Sequence, residues 1–264
     1  MKIEIVTMTP DRAAALLENN PANRPLRRFQ VEAYARDMAR GLWQTNGDAV
    51  RLNGDGSLID GQHRLAACVK SGIPFETILI SGLPSDVRAT IDGGAKRSHG
   101  DRLAMTGTTN ANNVSASLRL ITRVADNTTI SRYSSRELDL IFRANPGLES
   151  SVSYASYAFP RVGSALAAVH YIGTATGRGE AADAFVGVFK SGIPTYPGDA
   201  AHALRERLVK FRGSPTDYKT ADLLPATVAV WRHFTAKTPV RIIKIPSDIT
   251  IPGWTTARLG LVQE

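Results

Sequence analysis

The chain has 264 residues, of which 43% are hydrophobic, and a formal net charge of +8 at pH 7. This length and composition allow one large or two small folded domains and exclude a globally disordered chain. Because its only cysteine is Cys68 and no apolar run reaches the roughly 18 residues of a spanning helix, we expect no disulfide framework and a cytoplasmic protein without membrane contact.

The first half of the chain alternates strand and helix patterns. Thr9 precedes Pro10 as a helix N-cap, and Gly54-Asp55-Gly56 indicates a hairpin between two short strands. Apolar periodicity and turn residues set the predicted boundaries of the other elements. We predict strands over 2–7, 49–53, 57–60 and 75–81, and helices over 10–17, 30–41, 62–71, 84–90 and 101–105.

Helical patterns dominate from Asn113 onward. Ser134 and Glu137 have the spacing of a capping box at a helix start. Further helices are predicted over 162–174, 180–190, 199–211 and 221–234, and a strand over 241–245. The sequence therefore predicts an α+β domain over residues 1–109 and a basic helical domain over residues 110–264.

The positive charge is concentrated in the second half. Residues 1–109 hold 14 basic and 12 acidic side chains, whereas residues 110–264 hold 18 and 12. Arg205-Glu206-Arg207 and Lys210-Phe211-Arg212 give one predicted helix a basic face. Such a face fits a nucleic-acid backbone, so DNA is an expected partner; a solvated helix face is the alternative.

The most informative segment is Ser57–Cys68, where a short apolar run ends at Asp60-Gly61 and an Ala/Leu-rich helix begins. A strand that turns through glycine into a helix start directs free backbone N–H groups to one place. Gln62, His63 and Arg64 add side-chain donors there, and Asp60 adds a carboxylate. The segment predicts a site for a phosphate-bearing ligand; a well-capped turn is the alternative.

Two basic loops add candidate ligand contacts. Asn23-Arg24-Pro25-Leu26-Arg27-Arg28 precedes a predicted helix, and residues 92–101 combine glycines with Lys96 and Arg97. Of these we select Arg24 and Arg97 as phosphate-binding candidates. The five histidines lack i, i+3 or i, i+4 pairing, so a zinc-hydrolase helix is not predicted.

These motifs resemble the ParB N-terminal domain/sulfiredoxin superfamily over about residues 15–105. The likeness rests on Asn23-Arg24-Pro25, a helix with Tyr34 and Met38 before Gly41-Leu42-Trp43, and Leu58-Ile59-Asp60-Gly61-Gln62-His63-Arg64-Leu65-Ala66-Ala67. It is closest to the Asp-Gly-Gln-His-Arg variants of phage and mobile-element proteins. The resemblance implies a ParB/sulfiredoxin-like N-terminal domain joined to a mainly α-helical C-terminal domain.

The resemblance also implies a bound nucleotide. Its phosphates would contact Gly61, Gln62, His63, Arg64 and Arg24. Partition proteins of the superfamily, which use CTP as a DNA-clamp switch, have Glu-Arg where this chain has Gln62-His63. Sulfiredoxins carry a catalytic cysteine where this chain has Gln62, and Cys68 lies farther along the helix.

We therefore expect a protein that binds ATP or CTP, with Mg²⁺, and acts on or with DNA. Hydrolysis or transfer of a phosphate would use Asp60 and His63 as catalytic residues, with no metal held by the protein alone. The alternatives are a non-catalytic DNA-binding regulator with a vestigial nucleotide site, and a ParB-like nuclease. A homo-oligomer is compatible with each of these functions.

Overall fold

The computed structural model describes residues 1–20, 23–84, 87, 91, 97–214 and 217–261. Its internal contacts divide the chain into a first unit, Met1–Lys96 with Arg132–Arg136, and a second unit, Arg97–Ser131 with Glu137–Glu264. The structural boundary lies before residue 109 because the helix His99–Met105 belongs to the second unit. None of the helices in the described ranges is long and apolar enough to span a bilayer.

The described part of the first unit consists of a small mixed sheet and three helices. The elements of this part are β1 (Lys2–Met8), α1 (Pro10–Glu18), α2 (Arg28–Ala39), β2 (Ala49–Asn53), β3 (Leu58–Asp60), α3 (Gln62–Ser71) and β4 (Phe75–Leu83). Strand order is β1-β4-β2-β3; the pairs β1–β4 and β2–β3 are antiparallel, and β2–β4 is parallel. The β2–β3 hairpin confirms the Gly-Asp-Gly turn prediction.

The core of this unit lies between the sheet and the helices. Val50, Leu58, Leu65 and Cys68 are buried there, and α3 packs against both α1 and α2. Burial raises the pKa of the Cys68 thiol, which keeps it protonated and unreactive. Because α3 is fixed by this packing, its N-terminus is held in place at the end of β3.

The second unit is helical, as predicted, which confirms the α+β class of the whole chain. The expected strand over 241–245 is wrong: these residues are irregular, and the described part of this unit contains no strand with which they could pair. Its helices are α4 (His99–Met105), α5 (Ala111–Ala125), α6 (Ser135–Ala144), α7 (Gly147–Ala155), α8 (Gly163–Ala175), α9 (Gly179–Ser191), α10 (Ala200–Lys210) and α11 (Thr220–Thr235).

Aromatic side chains fill the core of the second unit. The Phe185 ring lies 5.4 Å from the Trp231 ring and 5.2 Å from the Phe234 ring, centroid to centroid, in edge-to-face arrangements. Trp231 and Phe234 are both buried. Most of the predicted short helix over 84–90 lies outside the described residues, and so do residues 92–96 of the glycine-rich loop over 92–101.

Candidate functional site

The turn between β3 and α3 depends on Gly61. This residue is the N-cap of α3 and has φ +106°, in the left-handed region that disfavours side chains. A Cβ at this position would also lie 3.1 Å from Val50 Cγ2. The predicted strand-turn-helix corner is therefore present, and Gly61 is the N-cap of its helix.

Asp60 fixes two arginine side chains beside this turn. Its Oδ1 accepts the Gly61 N–H at 2.7 Å, and its Oδ2 accepts from Arg51 Nη1 at 2.5 Å and from Arg64 Nη2 at 3.4 Å. Arg64 Nη2 also donates to the Ala49 carbonyl at 2.7 Å. Both carboxylate oxygens are thus engaged, and the two guanidinium groups are held near one another despite their like charge.

Gln62 and His63 hold the segment 23–28, which we name the arginine loop. Gln62 Nε2 donates to the Arg24 carbonyl at 2.9 Å, and Gln62 Oε1 accepts from Asn20 Nδ2 at 3.2 Å. His63 Nε2 accepts the Arg27 N–H at 3.0 Å, so that nitrogen carries no proton in this arrangement. The side chains of both motif residues therefore position the loop.

These elements enclose a cleft of about 290 Å³, which we name the arginine cleft. Four arginines line it against two aspartates, so its lining is net positive. Gly61 and Tyr34 form part of its wall, and burial raises the pKa of the Tyr34 hydroxyl, which stays neutral. The lining residues are Arg24, Arg27, Gln30, Tyr34, Asp48, Arg51, Asp60, Gly61, Gln62, His63 and Arg64.

The N-terminus of α3 adds donors to this positive lining. In the described part of the chain, the Gln62 N–H has no hydrogen-bond acceptor, as expected at the first position of a helix. Exposed Arg24 and Arg27 lie in the loop across the cleft. Fixed main-chain donors and guanidinium groups that face one small cleft are suited to an anion with several oxygens, such as a phosphate chain.

Most of the predicted site residues line the same cleft. Arg24, Asp60, Gly61, Gln62, His63 and Arg64 all do so, whereas Arg97 is not a lining residue; it belongs to the second unit and precedes Ser98, the N-cap of α4. Five further residues line the cleft that were not selected as site residues from the sequence: Arg27, Gln30, Tyr34, Asp48 and Arg51. Arg51 lies directly opposite Asp60 because the β2–β3 register shifts between Arg51 and Leu52, and a regular hairpin register does not predict that shift.

The second unit contains two Ser–His–Asp sets that sequence spacing did not reveal, each with a buried serine and histidine and a more exposed aspartate. His99 contacts Ser115 through Nδ1 and Asp139 through Nε2, both at 2.9 Å. His170 contacts Ser151 and Asp183 in the same manner, both at 3.0 Å. In a hydrolase triad the serine contacts Nε2 and the carboxylate contacts Nδ1, whereas in both sets of this protein the two contacts are exchanged. Both serines are also buried. These sets join helices rather than form catalytic sites.

In the described ranges, no three His, Cys, Asp or Glu side chains group as metal ligands. Comparison of the chain with protein-family models, with curated proteins and with solved structures gives no match. The chemistry of the arginine cleft is therefore the feature of this chain that bears on its function.

Proposed function

We propose that the arginine cleft binds the phosphates of a nucleotide, in the manner of a ParB/sulfiredoxin-like domain. The observation that carries this proposal is the meeting of four arginines with the N-terminus of α3 in one small cleft. The net positive lining offsets the charge of a polyphosphate, and the planar guanidinium groups match its oxygens.

The lining residues have separate tasks in this proposal. Arg24 and Arg27 supply exposed guanidinium groups, and Gln62 supplies its main-chain N–H. Arg51 and Arg64 are oriented by Asp60, so their charge is directed into the cleft at a fixed geometry. Gln62 and His63 contribute their side chains indirectly, because those side chains hold the arginine loop.

A nucleoside triphosphate such as ATP or CTP would bring Mg²⁺, which neutralises phosphate charge when bound. Asp48 and Asp60 are the carboxylates that line the cleft, and phosphate oxygens would complete the coordination. Asp60 already accepts three hydrogen bonds, two of them from the arginines that it orients, and His63 Nε2 accepts the Arg27 N–H. Either residue would have to give up a positioning contact to act as a general base, so the geometry favours binding without turnover over phosphate hydrolysis or transfer. No observation favours the nuclease alternative.

Titration calorimetry with ATP, CTP, ADP and inorganic triphosphate, each with Mg²⁺, tests the proposal. Arg24→Ala or Arg27→Ala should weaken binding about 10- to 100-fold, because a charge-assisted hydrogen bond contributes about 1.5–3 kcal/mol. Arg28→Ala is the matched control: Arg28 lies in the same loop, but it pairs with Glu32 at 2.8 Å and does not line the cleft.

Absence of binding to all four compounds would refute the proposal, and so would an equal loss in the Arg28 variant. Release of inorganic phosphate or pyrophosphate from the bound triphosphate would show turnover and would overturn the assignment of a binding-only site.

A further inference from the structure

A second, unrelated cleft lies within the second unit, between α10 and the irregular segment 241–243. We name it the α10 groove. It has a volume of about 290 Å³, and its wall includes Arg207, Lys210, Phe211, Arg241 and Ile242. Neither the arginine cleft nor the buried histidine sets share any residue with it.

The α10 groove is positively charged. Three cations, Arg207, Lys210 and Arg241, line it against one carboxylate, Glu206. Glu206 Oε1 is paired with Arg205 Nη1 at 2.8 Å, so its negative charge is already offset from outside the groove. An anionic partner would therefore meet a surplus of positive charge there.

The same groove is also apolar and aromatic. The guanidinium carbon of Arg207 lies 5.0 Å from the centre of the Phe211 ring, and Lys210 Nζ lies 5.3 Å from it. On the opposite wall Ile242 is 79% exposed, although it is a large hydrophobic residue. A partner that suits this lining carries negative charge for the cations and exposed planar groups that can pack against Phe211 and Ile242.

We propose that the α10 groove binds single-stranded nucleic acid. Phosphates of the strand contact Lys210 and Arg241, and an unstacked base packs against Phe211 and Ile242. A duplex presents the same phosphates, but its bases are stacked within the helix and do not reach the apolar wall. An acidic peptide supplies the charge without the flat bases. This inference is independent of the proposed nucleotide site.

Fluorescence anisotropy with a labelled oligothymidine of about 20 nucleotides tests the inference. The double variant Lys210→Ala/Arg241→Ala should weaken binding about tenfold or more. The slope of log K against log salt concentration, which is negative, should become shallower by about 1.4, because each single-strand phosphate contact contributes about 0.7 to its magnitude. The control is Arg143→Ala/Arg178→Ala, which removes the same charge from two exposed residues outside the groove and should change the affinity less than about twofold.

Phe211→Leu tests the base contact separately, because leucine keeps an apolar side chain in the groove without the aromatic face. The substitution should weaken binding of the single strand about tenfold, in line with the loss of one stacked base, while the salt dependence of binding remains unchanged.

Circular dichroism verifies that each variant is folded. Equal affinity for a duplex of the same length, displacement of the strand by polyglutamate at equal charge concentration, or an equal loss in the control variant would each overturn the inference.

Discussion

Histidine has different tasks in the two units of this chain. In the first unit, His63 accepts a main-chain N–H from the arginine loop at the edge of a cleft. In the second, His99 and His170 lie in the protein interior, each between a buried serine and a more exposed aspartate. An ionised carboxylate can only accept, so in both sets Nε2 donates to the aspartate, and Nδ1 faces the serine hydroxyl.

The comparison shows where these three histidines act. His63 lies at the edge of a positive cleft on a hydrophobic support, where it helps to position the arginine loop. His99 and His170 lie inside the helical core, where an unsatisfied polar group is costly. Substitutions at the buried histidines should therefore change stability, whereas substitutions at the arginine cleft should change ligand binding.

The largest effect is expected for His99→Ala. The substitution removes a fully buried ring and leaves the Ser115 hydroxyl without this partner, so the free energy of unfolding should fall by about 2–4 kcal/mol. Urea denaturation measures the loss. His202→Ala, at a partly exposed side chain 3.9 Å from Glu206, is the control and should cost less than about 0.5 kcal/mol. If the folded His99→Ala variant also lost triphosphate binding, the expectation that this substitution changes stability without changing binding at the arginine cleft would be wrong.

Gly61→Ala should have the next largest effect. An alanine there adopts an unfavourable positive φ and meets Val50, which costs about 1–3 kcal/mol and displaces the N-terminus of α3. We expect weaker triphosphate binding together with a lower melting temperature. Gly54→Ala provides the comparison, because a Cβ at Gly54 meets no atom within 4 Å. Similar losses in both variants would contradict the role given to the Gly61 turn.

Gln62→Met tests the positioning of the arginine loop. Methionine has a similar volume but makes neither of the two hydrogen bonds to Asn20 and Arg24, so stability should fall by about 1–2 kcal/mol. Amide hydrogen exchange over residues 24–27 should become faster in the ligand-free protein. Weaker binding with unchanged exchange would mean that the Gln62 side chain contacts the ligand directly.

The smallest effect concerns the start of α4, next to His99. Hydrogen bonds from the Ser98 N–H and hydroxyl lower the pKa of Asp101. A lowered carboxyl pKa stabilises the folded state above the ordinary aspartate value, and that contribution is lost as the pH falls through the folded-state pKa. Asp101→Asn should therefore flatten the decline of melting temperature on acidification below about pH 4. Parallel curves for the variant and the wild type would contradict this role.

Local sequence signals predicted much of the first unit. The Thr9-Pro10 helix start, the Gly-Asp-Gly hairpin and the Asp60-Gly61 corner each depend on a few neighbouring residues, and all are present. The prediction of a strand over 241–245 is wrong because a strand needs a neighbouring strand for its main-chain hydrogen bonds, and a local pattern of apolar residues does not provide one. Pairings over long sequence separations, such as His99 with Asp139, have no local signal.

The sequence by itself determined that a glycine turn would lead into the start of α3 with free main-chain N–H groups, because positive φ and free helix N–H groups are local properties. Only the tertiary structure decided what the motif side chains do. Gln62 and His63 are adjacent, yet both reach back to the arginine loop, and Asp60 faces Arg51 across the hairpin. Those contacts depend on how α2, α3 and the sheet pack together, which no single stretch of residues encodes.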